Sequence, residues 1–295
     1  MWAALTSPAL CLLEFVRRAL YQRDRALLAA SCSGIYAVGL VGGAGAVLLL
    51  QGDLRAAALC WPLSALTACA FGLAFTRPGA PRPRTISILW APHRKFALEM
   101  GLTSVPYSIY TTTVVMLVGL FSGPMAAAGF TAGRTLTNPA MAVVSAIDTL
   151  DKPRAVRALA ADGLDGLAGS IGRTRRTVVL LTGPYLLILA VGAPWILDKA
   201  FGSGYGEFAL GVQLLAVSFF MTGLNQPSET ALIVLKASRT MLVIRSVVAS
   251  LTVAGLWAFG ATWGFVGCAA AILAVNTLNV GALRAAEYRA GVKRA

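Results

Sequence analysis

A chain of 295 residues with 57% hydrophobic and only 13% charged side chains does not have the composition of a soluble domain, which carries about 25% charged residues. Its formal net charge of +13 would suit a nucleic-acid-binding protein, but the basic residues lie in short segments between long apolar stretches. The composition therefore excludes a soluble nucleic-acid-binding protein and indicates a membrane protein.

The chain begins with "MWAALTSPALCLL" (residues 1–13), which is too short to cross the ~30 Å hydrocarbon layer of a bilayer. No basic residue precedes this stretch, so it is not typical of a secretory signal peptide. We predict that residues 1–13 are the back half of a helix whose front half is missing. A basic connection, residues 14–25, follows it.

Apolar stretches long enough to cross a bilayer then recur along the chain. Because backbone polar groups in lipid must be satisfied within their own segment, these stretches are predicted to be helices. The predicted spans are 26–50, 56–75, 100–121, 125–147, 177–197, 208–228, 240–259 and 264–283. The sequence thus predicts an all-α polytopic membrane protein with eight complete transmembrane helices and a partial N-terminal one. Gly39 and Gly43 form a GxxxG pair in the first span, which predicts close packing of another helix.

Basic residues lie in alternate connections. Five segments hold 22 of the 25 Lys and Arg residues: 17–25, 77–95, 152–176, 236–245 and 284–294. By the positive-inside rule these segments face the cytoplasm, and so does the C-terminus of this multi-pass protein. They are also candidates for binding anionic membrane lipids.

Two of the basic segments also have a composition or spacing that predicts their structure. Residues 76–95 are rich in Pro and Arg, which predicts a linker between two helical bundles, one within 1–95 and one within 96–295. Residues 150–173 place apolar side chains at helical spacing among charges, which predicts a helix lying on the inner membrane surface.

The fourth span contains a charge at its centre. Thr131, Arg134, Thr135 and Asn138 follow helical spacing and form one polar stripe, and Pro139 interrupts the backbone ladder behind them. A central Arg costs about 2.5–3.5 kcal/mol on insertion scales. The stripe is therefore expected to face a water-filled substrate path or the bundle interior, where Arg134 either contacts substrate or pairs with a carboxylate or with carbonyl groups.

Polar residues in the third span are further candidates for a substrate path. Tyr107 and Tyr110 lie near its middle and offer hydroxyls and aromatic faces that suit a sugar. The same residue types also join helices to each other, and the sequence leaves both possibilities open. Asn276, in the last span, likewise either joins helices or lines the same cavity.

The run "GLNQPSET" (223–230) places polar groups inside the sixth span. Asn225 is a candidate for the substrate path, and Pro227, like Pro139, is a candidate hinge, because interrupted helices are typical of transporter sites. Glu229 either reaches the cytoplasmic interface, pairs with Arg134, or acts as a proton-sensitive gate.

The sequence offers no chemistry for an enzyme, a cofactor or a metal. The cysteines form no CxxC pair, and the single histidine, His93, has no second ligand nearby. The glycine-rich "GSGYG" (202–206) follows a membrane span and lacks the Lys and Ser/Thr of a phosphate loop. We therefore expect a protein that is not an enzyme.

Three segments carry a resemblance to a known family. "EFVRRALYQRDR" (14–25) resembles the basic connection after the fourth helix of bacterial polysaccharide flippases, which belong to the multidrug/oligosaccharidyl-lipid/polysaccharide (MOP) exporter superfamily. "AAGFTAGRTLTNPAMAVVSAID" (127–148) resembles their eighth helix. "ILDKAFGSGYGEFALGVQLLA" (196–216) resembles the turn between their ninth and tenth helices.

The resemblance implies two six-helix bundles around a central cavity, with this chain aligned from a partial fourth helix to the twelfth and its first bundle incomplete. It implies transport of an undecaprenyl-diphosphate-linked oligosaccharide across the plasma membrane for surface polysaccharide synthesis. A proton or sodium gradient would drive the transport, with Glu229 as the titrating group. Membrane proteins of polysaccharide assembly would be partners.

Other functions remain open at this stage. A drug or cation antiporter of the same superfamily would favour acidic cavity residues, and a membrane-embedded glycosyltransferase or polymerase would favour a large outward loop. A truncated flippase without function, a misplaced start codon, or a partner chain that supplies the missing helices would each explain the short N-terminus. Translation of the DNA upstream distinguishes a misplaced start from the others.

Overall fold

The computed structural model describes residues 2–50, 54–76, 94–202 and 204–292, and all regular structure within them is helical. This confirms the predicted all-α membrane fold. The chain forms two compact units, Met1–Ser87 and Ile88–Ala295.

The N-terminal unit contains α1 (Trp2–Gln22), α2 (Ala26–Leu49) and α3 (Leu54–Thr76). Leu13, Val16 and Leu20 of α1 are buried with Ala29 of α2 and Ala65 of α3 in one cluster. The structure corrects the expected end of the first helix, because most of the basic connection lies within α1.

The basic residues after α1 stabilise the end of α3. Arg25 donates to the carbonyl of Phe75 over 3.0 Å, and Arg23 donates to the carbonyl of Thr76. Basic side chains at a helix C-terminus satisfy free carbonyl groups and favour the negative end of the helix dipole.

The predicted GxxxG contact is present between α2 and α3. A Cβ added at Gly39 would lie 2.9 Å from Ser64 Oγ, and one added at Gly43 would lie 2.9 Å from Cys60 Sγ. The two helices are therefore close enough that only glycine fits at these positions without a shift of the neighbour.

The C-terminal unit begins with helical residues 94–102. It continues with α4 (Ser104–Phe201), the 3-10 helix Tyr205–Phe208, α5 (Ala209–Val234) and α6 (Ser238–Arg289). Non-helical backbone at Gly123 and at Asp162–Gly163 divides α4 into α4a (104–122), α4b (124–161) and α4c (164–201). Gly264 divides α6 into α6a (238–263) and α6b (265–289).

When α4 and α6 are divided in this way, the predicted spans overlap successive helical segments, and the span 100–121 is interrupted at Thr103. Counted as continuous elements, five helices of the described residues are long and apolar enough to cross a membrane. The molecule is a multi-pass membrane protein.

The core of the C-terminal unit joins α4, α5 and α6. Val118, Phe130, Leu197, Val212 and Leu256 are buried in it. Large apolar side chains also cover the outside of α4c, including Leu180, Ile188, Val191 and Trp195. An apolar exterior of this kind is expected where lipid is the solvent.

The predicted surface helix at 150–173 is wrong in form, because these residues form the two arms of a helical hairpin. Residues 150–161 continue α4b and residues 164–173 begin α4c, with the reversal at Asp162–Gly163. Segments of 38 residues are about 57 Å long, so both extend beyond the bilayer core. Leu167 and Ile171 are buried against Ala155 and Ala231, so their spacing reflects packing within the protein.

Candidate functional site

Arg134 lies near the middle of the predicted span 125–147, as the eleventh residue of α4b, and its side chain is half-buried. Its neighbours on the stripe, Thr131, Thr135 and Asn138, are exposed. On the opposite face Gly133 and Ala140 are buried. The predicted polar stripe therefore lies on the more accessible side of the helix.

The guanidinium of Arg134 forms no hydrogen bond or ion pair with any part of the chain that the structure describes. The neighbouring hydroxyls bond to their own helix, with Thr131 donating to the Ala127 carbonyl over 2.8 Å and Thr135 donating to the Thr131 carbonyl over 2.9 Å. Arg134 is therefore not a structural arginine paired with a carboxylate of the described residues.

Pro139 removes one backbone hydrogen bond of α4b, about one turn beyond Arg134. Proline has no N–H to donate to the carbonyl four residues earlier, which here belongs to Thr135. The adjacent Leu136 carbonyl accepts a hydrogen bond of 2.6 Å from the Tyr185 hydroxyl of α4c. A side chain of the next segment thus bonds to the backbone at the predicted hinge.

Tyr107 and Tyr110 lie on α4a, but their side chains are outside the part of the chain that the structure describes. Their contribution to a substrate path stays a prediction.

Glu229 pairs with a different cation from the one considered in the sequence analysis. Its Oε2 accepts from Arg245 Nη2 of α6a over 2.7 Å, and Arg245 Nη1 donates to Thr103 Oγ1 over 3.1 Å. Both members of the pair are largely buried, at 16% and 27% side-chain exposure. Of the three alternatives for Glu229, the ion pair with Arg134 is therefore not formed in this structure.

A second ionic group surrounds Glu287 of α6b. Its Oε2 accepts from Arg175 Nη2 of α4c over 3.0 Å and from the Ser228 hydroxyl of α5 over 2.6 Å. By its position in the sequence Arg175 is one of the basic residues of segment 152–176, and Glu287 belongs to no motif. The two residues are 112 positions apart in the chain, so no local pattern links them.

A third group involves Asp148 of α4b. It bonds to Lys152 over 2.5 Å and accepts from the Thr230 hydroxyl over 3.0 Å. Ser228, Glu229 and Thr230 are consecutive on α5, and side chains of consecutive helical residues point in different directions. Each of them therefore bonds to a different helical segment. We call these three groups the inner ionic cluster: Asp148, Lys152, Arg175, Ser228, Glu229, Thr230, Arg245 and Glu287.

The predicted asparagines lie at the α5–α6 interface or in its neighbourhood. Asn276 of α6b donates to the Ser218 hydroxyl of α5 over 2.8 Å, so it joins these two helices. Asn225 is buried, and its Oδ1 has no hydrogen-bond partner in the described residues. Pro227 is buried on the same helix.

The structure groups the predicted site residues into two sets. Thr131, Arg134, Asn138 and Pro139 lie on α4b, whereas Asn225, Pro227 and Glu229 lie on α5, within a turn or so of each other. No described hydrogen bond or ion pair connects the two sets. Among the described residues, no three His, Cys, Asp or Glu side chains are placed to hold a metal ion.

The sequence matches no model of a known protein family and no curated protein. The structure, in contrast, is similar to solved membrane transporters. A mutant form of the Vibrio cholerae MATE transporter VcmN matches with a TM-score of 0.75 and 16% identity over 98% of this chain and 68% of its own length.

A multidrug resistance MATE family transporter of the MOP superfamily, in an outward-facing conformation, matches with a TM-score of 0.77 and 13% identity over 93% of this chain and 65% of its own. A MOP superfamily transporter from Pyrococcus furiosus matches with a TM-score of 0.74 and 13% identity over 91% and 62%. The chain thus spans about two thirds of the length of these proteins. It has the helical fold of the MATE transporters of the MOP superfamily.

Proposed function

We propose that the chain is a MOP-superfamily transporter that moves a polyprenyl-diphosphate-linked oligosaccharide from the inner to the outer leaflet of the bacterial plasma membrane. The headgroup of such a lipid is anionic and strongly hydrated, while its tail remains in the bilayer. A cationic, water-filled path lowers the barrier to crossing for such a headgroup.

The observation that carries this proposal is the state of Arg134. It lies near the centre of a membrane helix, half-buried, beside an exposed polar stripe and without a described partner. A cation within the bilayer has a high free-energy cost. The negative charge of an anionic ligand would offset that cost. Arg134 would bind phosphate or an acidic sugar, with Asn138 and the tyrosines of α4a contacting sugar hydroxyls.

Conformational change would involve the inner ionic cluster and the two prolines. Helices change direction most easily where proline has removed a backbone bond, which favours Pro139 and Pro227 as hinges. Protonation of Glu229 would release Arg245, so Glu229 is the proposed link to a proton gradient.

The rival function is export of drugs or other cations, because one of the solved structures with this fold is a multidrug resistance MATE family transporter. The fold itself is equally compatible with both substrates. The solved Pyrococcus furiosus protein is described as having a binding pocket of reverse polarity that suggests a different function. An unpaired central Arg favours an anionic substrate here.

The test is complementation of a bacterial strain that lacks its own polysaccharide flippase. The unaltered chain is expected to restore surface polysaccharide, and Arg134→Ala to reduce it by about tenfold or more, because a charge-assisted contact contributes ~1.5–3 kcal/mol. Arg134→Lys keeps the charge and should retain part of the activity. The exposed Arg289→Ala is the matched control and should behave as the unaltered chain.

Protein abundance is measured for each variant by quantitative immunoblotting. Normal polysaccharide with Arg134→Ala would contradict the role of Arg134. Resistance of the strain to cationic dyes such as ethidium, without any restored polysaccharide, would replace the proposal with its rival.

A further inference from the structure

Two clefts lie along α4c, one polar and one apolar. The polar cleft has a volume of about 410 Å³ and lies where the arms of the helical hairpin meet. It is lined by Asp151, Arg154, Ser170, Arg173, Thr174 and Thr177. The apolar groove has a volume of about 500 Å³ and lies between α4c and α5, where Leu180, Gly183, Leu187 and Phe220 are among its walls.

One row of α4c residues runs from the polar cleft into the groove, and the polar cleft opens beside α4b whereas the groove opens beside α5. Arg173 and Thr177 line the polar cleft, and Leu180, Pro184 and Leu187 line the groove. These positions follow one another at spacings of four, three, four and three, which places them on a single stripe of a helix. A ligand on this stripe would contact charged groups at one end and apolar groups along the rest.

The dimensions of the stripe match one leaflet of a bilayer. Ten residues separate Thr177 from Leu187, a rise of about 15 Å along the helix. This is half of the ~30 Å hydrocarbon layer. The polar end of the stripe belongs to the basic segment 152–176, which the charge distribution assigns to the cytoplasmic side.

The polar cleft carries a net positive charge from its lining residues. Asp151 accepts from the Thr174 hydroxyl over 2.5 Å through Oδ2 and from Arg154 over 3.3 Å through Oδ1. Arg154 remains 66% exposed in that pair, and the side chain of the exposed Arg173 forms no hydrogen bond or ion pair with the described residues. The donors of Arg173, and those that Arg154 does not use, are available to phosphate oxygens, for which the guanidinium fork is well shaped.

We propose that this stripe binds an anionic phospholipid of the inner leaflet, with its phosphate between Arg154 and Arg173 and one acyl chain in the groove of α4c and α5. A net charge of one cation complements one phosphate, and a groove of one leaflet's depth matches an acyl chain. The much longer tail of a polyprenyl lipid would extend far beyond it. The site is separate from Arg134 and does not depend on the transported substrate.

The test measures lipid retention by the full chain, purified in detergent, with native mass spectrometry. Dioleoyl phosphatidylglycerol, whose headgroup is anionic, is compared with dioleoyl phosphatidylcholine at equal concentration. The unaltered chain is expected to retain phosphatidylglycerol at least about tenfold more strongly, and Arg154→Ala with Arg173→Ala should remove that preference, as expected for the loss of charge-assisted contacts.

Arg176→Ala is the matched control, because Arg176 is an exposed arginine of the same helix that does not line the cleft. It should leave the preference unchanged. Gly183→Leu tests the groove without altering any charge: a Cβ at Gly183 would lie 3.6 Å from Phe220 Cε2, so a larger side chain occupies the space of the acyl chain. It should weaken retention of both lipids.

Three results would overturn the proposal. Equal retention of the two lipids by the unaltered chain would show that the charge of the headgroup does not determine binding. This measurement requires no variant. Full competition by inorganic phosphate identifies a headgroup site without a lipid tail. Unchanged retention in Gly183→Leu would show that no lipid occupies the groove. The groove would then be tested as a surface that binds a partner helix.

Discussion

The carboxylate of Glu229 lies 2.7 Å from the guanidinium of Arg245, and both side chains are largely buried. The attraction between two such charges roughly offsets the cost of removing them from water, whereas loss of one partner leaves an uncompensated charge. The pair therefore matters less for total stability than for where Arg245 is held. The same reasoning applies to Arg175 and Glu287, which are buried to a similar extent.

At this scale we predict that Glu229→Gln destabilises the protein more than the double change Glu229→Leu with Arg245→Met. The single change should cost about 2–4 kcal/mol, because it leaves Arg245 unpaired in a mostly buried place. The double change removes both charges and should recover most of this loss. Thermal unfolding in detergent, followed by circular dichroism, measures both.

Glu14 and Arg18 provide the control for this prediction. They form an ion pair of 3.0 Å with side chains that are 42% and 66% exposed, and such pairs contribute ~0–1 kcal/mol. Glu14→Gln should leave the unfolding midpoint almost unchanged. A double change as destabilising as Glu229→Gln alone would show that packing, and not charge, dominates at Glu229.

At the scale of elements, α5 and α6 approach each other through glycine. A Cβ added at Gly211 of α5 would lie 2.3 Å from Cε1 of Phe265. That ring is 5% exposed and makes edge-to-face contacts with Phe130 and Phe208. The ring cannot move without disturbing the core of the unit.

We predict that Gly211→Ala destabilises the protein by about 1–3 kcal/mol, as expected for overpacking. Gly45→Ala is the matched control, since a Cβ there meets nothing within 4 Å. It should be neutral or stabilise the helix by up to about 1 kcal/mol, because alanine is the better helix former. The prediction is tested by measuring the thermal unfolding midpoints of the two variants under the same conditions. Equal midpoints would mean that α6 moves away from α5 at little cost in free energy.

The elements were predictable from the sequence to different degrees. Hydropathy predicted the all-α membrane fold correctly, because a helix that crosses the bilayer needs an apolar stretch as long as the bilayer is thick. It missed the hairpin at Asp162–Gly163, since helical spacing of apolar residues is the same for a helix on a membrane and for a helix packed on protein. The reversal depends on Gly163, at φ +63, and the spacing of the apolar residues does not distinguish this glycine from the others nearby.

The candidate site was predictable only in part, for a related reason. Local spacing identifies a face of one helix, and it found the stripe of Arg134 and the polar run from Asn225 to Glu229. It carries no information about which helix lies opposite. The partners Arg245 and Glu287 follow from the packing of helices distant in the chain, and could be found only once the fold was known.

At the scale of the whole molecule, the basic segments predict the orientation in the membrane. With 22 of 25 basic residues in alternate connections, the C-terminus is expected to lie in the cytoplasm. A C-terminal fusion to green fluorescent protein should therefore fluoresce, and a fusion to alkaline phosphatase should be inactive. Fusion within residues 202–204 should give the reverse, and the opposite pattern would refute the assigned orientation.

The three consecutive side chains near the C-terminal end of α5 have a mechanical consequence. Ser228, Glu229 and Thr230 are attached to α6b, α6a and α4b respectively, so a rotation that frees one of them pulls against the other two. The end of this helix is thus expected to release its neighbours together or not at all. Movement of this helix is therefore expected to be a cooperative transition between two conformations, without stable intermediates.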